Sequence, residues 1–217
     1  MRYLKYDEQL SQFFSSVIMD TLDSLGRRVQ CMDPRIRPLV PSMRAWGEAV
    51  TIRFDAVVEM PQLPYGLEIQ AVDGLREGQV LVSQCNTPEL SAAWGGLLST
   101  AARARGARGM VTDGGARDYA EIVELGFPTF CRGHTPYDSL GRMDVTEINI
   151  AIRCGGIDVR PGDLIFADVD GTVVVPQELS DEVISKAWEK VNGESRVRDA
   201  LRSGAGVAET FAKYRIL

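Results

Sequence analysis

Between Asp7 and Leu25 the apolar residues fall three and four apart, at Leu10, Phe13, Phe14, Val17, Ile18, Leu22 and Leu25, and Gly26 follows. This spacing predicts one amphipathic helix with a glycine stop. CMDPRIRPLVPSM is punctuated by prolines and reads as extended chain. GEAVTIRF (47–54) alternates like a half-buried strand. MPQLPYG is a loop, YGLEIQAVDGLREG a short helix entering a turn, and QVLVSQC a buried strand. Next come a helix in SAAWGGLLSTAARARG, a strand in ARGMVTDG, a helix in ARDYAEIVELG and a strand in FPTFCRG. The middle of the chain thus predicts a β-α-β-α-β unit, a parallel sheet with crossover helices.

After Gly141 the pattern changes. EINIAIRCGGIDVRPGDLIFADVDGTVVVP predicts strands parted by Gly, Pro and Asp turns, in an antiparallel or barrel-like arrangement. Asp168 and Asp170 in FADVDGTV mark a hairpin turn. ELSDEVISKAWEKVNGESRVRDALRSG predicts a long polar helix, broken near Asn192-Gly193. With no linker, repeat or low-complexity stretch, the 217 residues predict a single α/β domain, 1–217.

Composition narrows the chemistry. A net charge of -6 argues against a general nucleic-acid footprint. The basic run RARGAR (103–108) reads as a solvated helix end opposing the C-terminal dipole. No apolar run is long enough to span a membrane, and MRYLKYDEQLSQFF lacks the apolar centre of a signal peptide. Cys31, Cys85, Cys131 and Cys154 are scattered, as expected of reduced thiols in a cytoplasmic protein. One histidine, His134, excludes a multi-histidine metal site within the chain and reads as a structural or surface residue. The four lysines lie near the termini in polar segments, away from the desolvated pocket that a Schiff base needs. Phosphate-binding glycine loops are absent.

Two turns carry the candidate chemistry. In Trp94-Gly95-Gly96-Leu97-Leu98 the glycines stand at a predicted helix start. They either permit a tight turn and close packing, or let an anion reach the open backbone amides. Asp113-Gly114-Gly115-Ala116-Arg117-Asp118 follows a predicted parallel strand. Arg117 offers a planar fork for a carboxylate or developing oxyanion. Asp118 is either a helix N-cap or a hard oxygen ligand for Mg²⁺. Because the crossovers are consecutive, both turns should open on one edge of the sheet. Such a pair suits a small 2-oxo acid, its carboxylate on the helix start and its keto oxygen facing Arg117 and a metal that stabilises an enolate.

The series GGLL … GMVTDGGARD resembles the RraA-like family. So do MDPRIRPL (32–39), GEAVTIR (47–53), GGIDVRPGDLIFADVDGTVVVP (155–176) and GESRVRDALRSG (193–204), and the likeness spans most of the chain. That family includes 4-hydroxy-4-methyl-2-oxoglutarate aldolases with oxaloacetate decarboxylase activity, and regulators of ribonuclease E. The resemblance implies a swivelling-type β/β/α domain that forms homotrimers, often paired into hexamers, with sites between subunits. It implies that Arg117 contacts substrate oxygen and that Asp118 binds Mg²⁺ or Mn²⁺, mostly through water. The amides of Gly95, Gly96, Leu97 and Leu98 would hold the pyruvyl carboxylate, and Glu194 of a neighbouring subunit would complete the site.

The regulators lack the Asp after the Arg, so Asp118 favours a metal-dependent carbon–carbon lyase. A non-catalytic regulator that binds ribonuclease E or another protein is the alternative. The chain departs from the aldolases at Gly96, where they often carry an acid. Gly96→Asp is therefore expected to raise aldol cleavage, while decarboxylation would survive without the acid.

Overall fold

The computed structural model describes residues 2–87 and 91–215. The predicted N-terminal helix is two helices, α1 (Asp7–Gln12) and α2 (Ser15–Ser24), with Phe13 and Phe14 extended between them. The cause is tertiary. Ser15 donates its N–H and its hydroxyl to Asp168, at 2.8 and 2.7 Å, while Arg44 donates to the carbonyls of Ser11 and Phe13. Such long-range caps satisfy helix-end groups that a continuous helix would pair internally. Asp168 also accepts the Asp170 N–H at 2.9 Å, so it organises the expected hairpin turn as well.

Strands β1 (Arg37–Pro38) and β2 (Ala45–Ala56) precede α3 (Gly66–Asp73). Strand pairs then alternate with helices: β3 (Gln79–Asn86) and β4 (Ala92–Trp94), α4 (Gly96–Ala104), β5 (Gly109–Thr112) and β6 (Gly115–Ala116), α5 (Tyr119–Leu125), β7 (Thr129–Cys131) and β8 (Gly133–His134). Five further strands follow: β9 (Met143–Ile148), β10 (Ile152–Cys154), β11 (Ile157–Val159), β12 (Leu164–Ala167) and β13 (Thr172–Val175). Helices α6 (Ser180–Arg202) and α7 (Val207–Tyr214) close the order. Helix α6 passes unbroken through Asn192-Gly193. The roughly 1 kcal/mol that an interior glycine costs does not break a helix that packs along α1, α2 and α7. Among the described residues, no helix is long and apolar enough to cross a membrane.

The large sheet runs β1-β7-β5-β3-β2-β12-β13, with β9 also paired to β2. Strands β3, β5 and β7 are parallel, as the central alternation predicts; β2 adds to them parallel to β3, and β1, β9, β12 and β13 pair antiparallel. Strands β10 and β11 form a hairpin, and β4, β6 and β8 a small parallel sheet. Alternation along the β12–β13 hairpin divides its side chains between two cores. Ile165, Ala167 and Val174 join the core of the parallel strands. Leu164, Phe166, Val173 and Val175 meet Leu10, Phe13 and Ile184 of α1, α6 and the link between α1 and α2. Burying a side chain of this size contributes about 1.5–3 kcal/mol, so the hairpin fastens the helical layer to the sheet.

Candidate active site

Strands β3, β5 and β7 are each followed by a strand of the small sheet, which repeats their order. The register Ala92↔Gly115 and Trp94↔Ala116 sets the ends of β4 and β6 side by side. Arg117 N–H donates to Trp94 O at 3.0 Å. Gly95-Gly96 and Arg117-Asp118 therefore leave adjacent strands and meet, on one edge as expected. The helix assignment for Ser91–Trp94 is corrected: Ala92–Trp94 is strand, and the helix starts at Gly96. Pairing with β6 overrides the helical propensity of the two alanines.

Asp118 has a left-handed backbone, φ 58° and ψ 39°, and gives no side-chain bond to the amides of α5. Its Oδ2 accepts the Gly96 N–H of α4 at 3.0 Å instead. The carboxylate thus closes the neighbouring helix, not its own, and Oδ1 has no hydrogen bond or ion pair among the described residues. The glycines are explained by carboxylates. A Cβ on Gly95 would stand 2.8 Å from Asp118 Oδ2, and one on Gly96 would collide with the Glu121 carboxylate. A side chain at 96 would meet the Glu121 carboxylate, the movable end of an exposed side chain, so an acid there would share its space with Glu121.

Arg117 stands between two carboxylates, with Nε 3.7 Å from Asp118 Oδ2 and Nη1 3.0 Å from Asp138 Oδ2. The Tyr65 hydroxyl donates to the same Asp138 oxygen at 2.9 Å. Burial opposes the charge on Asp138. The Tyr65 hydrogen bond and the Arg117 charge outweigh burial and hold the carboxyl below its ordinary range. These groups line a cavity of about 280 Å³, with Trp94, Leu98 and Glu68 among its walls. Glu68 is 3% exposed. Burial, with the nearby charges of Asp144 and Asp138, pushes its carboxyl up to about 8 against the pull of Arg117. Among the carboxyls that line the cavity, Asp138 is thus shifted down and Glu68 up, an arrangement that fits acid–base chemistry.

Tyr65, Glu68, Glu121 and Asp138 were not singled out from the sequence. For Glu68 a signal exists: Glu68, Ala71 and Val72 are i, i+3 and i+4 on α3, and all three are buried. An acid on a buried stripe is the exception worth noticing.

The remaining candidates sit elsewhere. Glu194 does not line this cavity; it lies on α6 beside Arg198, at 3.8 Å. His134 is exposed and packs edge-on against Tyr119, with ring centroids 4.9 Å apart. No lysine lines the cavity. Among the described residues no cluster of three His, Cys, Asp or Glu could enclose a metal ion. The free Asp118 Oδ1 and the nearby Glu121 carboxylate are hard oxygen donors. They fit a Mg²⁺-like cation that keeps most of its water.

Residues 15–174 match the model of the RraA-like family, Aldolase/RraA. The chain is 32% identical over 188 residues to a Halalkalibacterium halodurans protein named "Putative 4-hydroxy-4-methyl-2-oxoglutarate aldolase", covering 85% of this chain and 83% of that one. The structure of an uncharacterized Pseudomonas syringae protein superimposes with a TM-score of 0.85 at 29% identity, over 95% of this chain and 92% of the other. Streptomyces coelicolor RraAS2, described as an unusual member of the RNase ES inhibitor RraA protein family, aligns with a TM-score of 0.78 at 29% identity, over 88% and 96%. The matched segment takes in both turns of the site and the sheets that bring them together, and on that ground the chain belongs to the RraA-like family.

Proposed function

We propose that this protein is a divalent-metal-dependent carbon–carbon lyase that releases pyruvate from a small 2-oxo acid, by aldol cleavage or by decarboxylation of oxaloacetate. One observation carries the proposal: Arg117 and a half-free Asp118 carboxylate stand together at the start of α4, on the wall of one cavity. The first intrahelical bond of α4 is Ser99 N–H to Gly95 O, at 3.0 Å. The Leu97 and Leu98 amides precede it and, with Gly96 N–H committed to Asp118, are the ones open to a substrate carboxylate. Arg117, oriented by Asp138, faces the keto oxygen and stabilises the charge that develops there when the C3–C4 bond breaks. A cation held by Asp118, with Glu121 beside it, would supply Lewis acidity toward the same oxygen. Trp94 and Leu98 give the cavity an apolar wall beside the reacting carbons.

A homotrimer, or a pair of trimers, belongs to the same proposal. Leu97 is 81% exposed beside the site, a surface that a neighbouring copy carrying Glu194 would cover. The test is pyruvate release from oxaloacetate and from 4-hydroxy-4-methyl-2-oxoglutarate, with Mg²⁺, Mn²⁺ or EDTA, for the wild type and Asp118→Ala. Release above the metal-only background, lost in the variant and in EDTA, is expected. A folded, metal-supplied protein that acts on neither substrate would point instead to the regulator reading, in which the chain binds a ribonuclease or another protein.

A further inference from the structure

Glu68 is a carboxyl that the fold treats as neither core nor surface. It lies in the first turn of α3, 3% exposed, and what it retains of solvent contact is through the cavity it lines. Among the described residues it has no hydrogen bond and no ion pair. Its carboxyl oxygens are not among the buried unpartnered atoms of the described residues, so they open on the cavity rather than into the core. Its neighbours Ala71 and Val72 on the same face are plain core residues. A leucine or glutamine would cover the same surface.

Around it the charges are arranged unequally. Asp138 is committed to Arg117 and Tyr65, so it is held ionised and has no proton to give. Asp118 is bound to the Gly96 amide at the cavity mouth. Burial, Asp144 and Asp138 all favour the neutral form of Glu68, and the Arg117 charge opposes them. Cleavage leaves a pyruvate enolate whose C3 must gain a proton, and that carbon is one bond removed from the carbon whose oxygen faces Arg117. No histidine or lysine lines the cavity to supply the proton.

We propose that the Glu68 carboxyl is the catalytic acid that protonates C3 of the enolate; this rests on the lyase reading above. In aldol cleavage the C4 hydroxyl gives its proton to water in the cavity and becomes a carbonyl, the C3–C4 bond breaks, and its electron pair becomes the enolate. C3 then takes the Glu68 proton to give the methyl group of pyruvate, and the Glu68 carboxylate is reprotonated by the proton released from the C4 hydroxyl or by water. In decarboxylation the same bond breaks with loss of CO₂, and the proton consumed at C3 is replaced from solvent. In reverse, the Glu68 carboxylate removes a C3 proton from bound pyruvate.

The reverse step gives the test. Exchange of the pyruvate methyl protons with D₂O is followed by NMR with Mn²⁺ or Mg²⁺ present, for the wild type, Glu68→Gln and Glu68→Asp. Binding of oxalate, a mimic of the enolate, is measured on the same proteins by calorimetry. Glu68→Gln should lose about 10²–10⁴-fold in exchange rate while binding oxalate within about threefold of the wild type, and Glu68→Asp should recover part of the exchange. Exchange at the wild-type rate in Glu68→Gln would overturn the assignment. So would parallel loss of exchange and oxalate binding, which would make Glu68 a structural residue. A wild type that neither exchanges methyl protons nor releases pyruvate fails before any variant is compared, and that result overturns the lyase reading itself.

Discussion

Arg117 Nη1 stands 3.0 Å from Asp138 Oδ2, and that same oxygen receives the Tyr65 hydroxyl at 2.9 Å. The guanidinium is thus held from behind by a carboxylate that is itself anchored to the start of α3. Both partners are about one-third exposed, so solvent screens the pair and its worth is modest. Its use lies in orientation. Asp138→Asn is expected to lower kcat/KM for oxaloacetate about tenfold, the equivalent of about 1.4 kcal/mol, with an unchanged melting curve. Arg117→Ala should cost about 100-fold or more. Steady-state kinetics on the two variants check this, and wild-type kcat/KM in Asp138→Asn would refute the orienting role.

Asp118 joins two tasks that one substitution can separate. Asp118→Asn retains an oxygen for the Gly96 amide but loses the charge a cation needs. Its stability should stay within about 1 kcal/mol of the wild type, the size of a helix-cap contribution. Mn²⁺ affinity, followed by electron paramagnetic resonance, should fall at least about tenfold, and pyruvate release should disappear. Undiminished Mn²⁺ binding would remove Asp118 from the metal site.

Gly96→Asp is not expected to raise activity as a single change, because its carboxylate would lie against that of Glu121 and repel it. Two carboxylates would compete for one position beside Asp118. The double variant Gly96→Asp/Glu121→Ala moves the acid from α5 to α4 and should retain more pyruvate release than either single variant. Gly95→Ala should be harmful by a related route, since its Cβ would meet Asp118 Oδ2 at 2.8 Å. A single Gly96→Asp variant faster than the wild type would show that Glu121 does not hold the place of the missing acid.

Glu68 also makes stability depend on pH. Its carboxyl is ordinarily near 4.5 and is pushed up to about 8 in the folded protein. Between these values the native state binds the extra proton, so stability falls as pH rises. The contribution is complete below about 4.5 and lost through about 8. Glu68→Gln stays neutral throughout and has no such slope. At pH 8.5 it should exceed the wild type by a couple of kcal/mol, about 4–8 °C in melting temperature, with little difference at pH 5. Parallel melting curves across this range would show that Glu68 is ionised in the native state. Methyl-proton exchange by the wild type should titrate in the same region, with Asp138, Asp144 and Arg117 the charged groups acting on Glu68.

Periodicity and turn residues were enough to expect the parallel β3-β5-β7 centre, the antiparallel strands after Gly141 and the long α6. Each of those signals is contained in a short window, where side-chain spacing and the stiffness of Gly and Pro act directly. The Arg117-Asp118 turn and the Gly95-Gly96 helix start were legible for the same reason, as was their common edge. The short strand β4 was not. Ala92–Trp94 has no alternation to distinguish strand from helix, and its partner β6 comes 23 residues later in the register Ala92↔Gly115.

The sequence by itself determined which segments could be helix or strand and which charged residues would stand at turns. Tertiary structure alone decided what those residues bind. Asp168 reaches Ser15 across 153 residues and interrupts a helix that local spacing would have continued. Asp118 could have capped α5, yet its left-handed backbone turns the carboxylate to Gly96, 22 residues earlier. The Glu68 carboxyl is pushed up only when α3 buries it beside Asp138 and Asp144. Local patterning reports backbone preference over a few residues, whereas hydrogen-bond partners and desolvation arise when distant segments pack together.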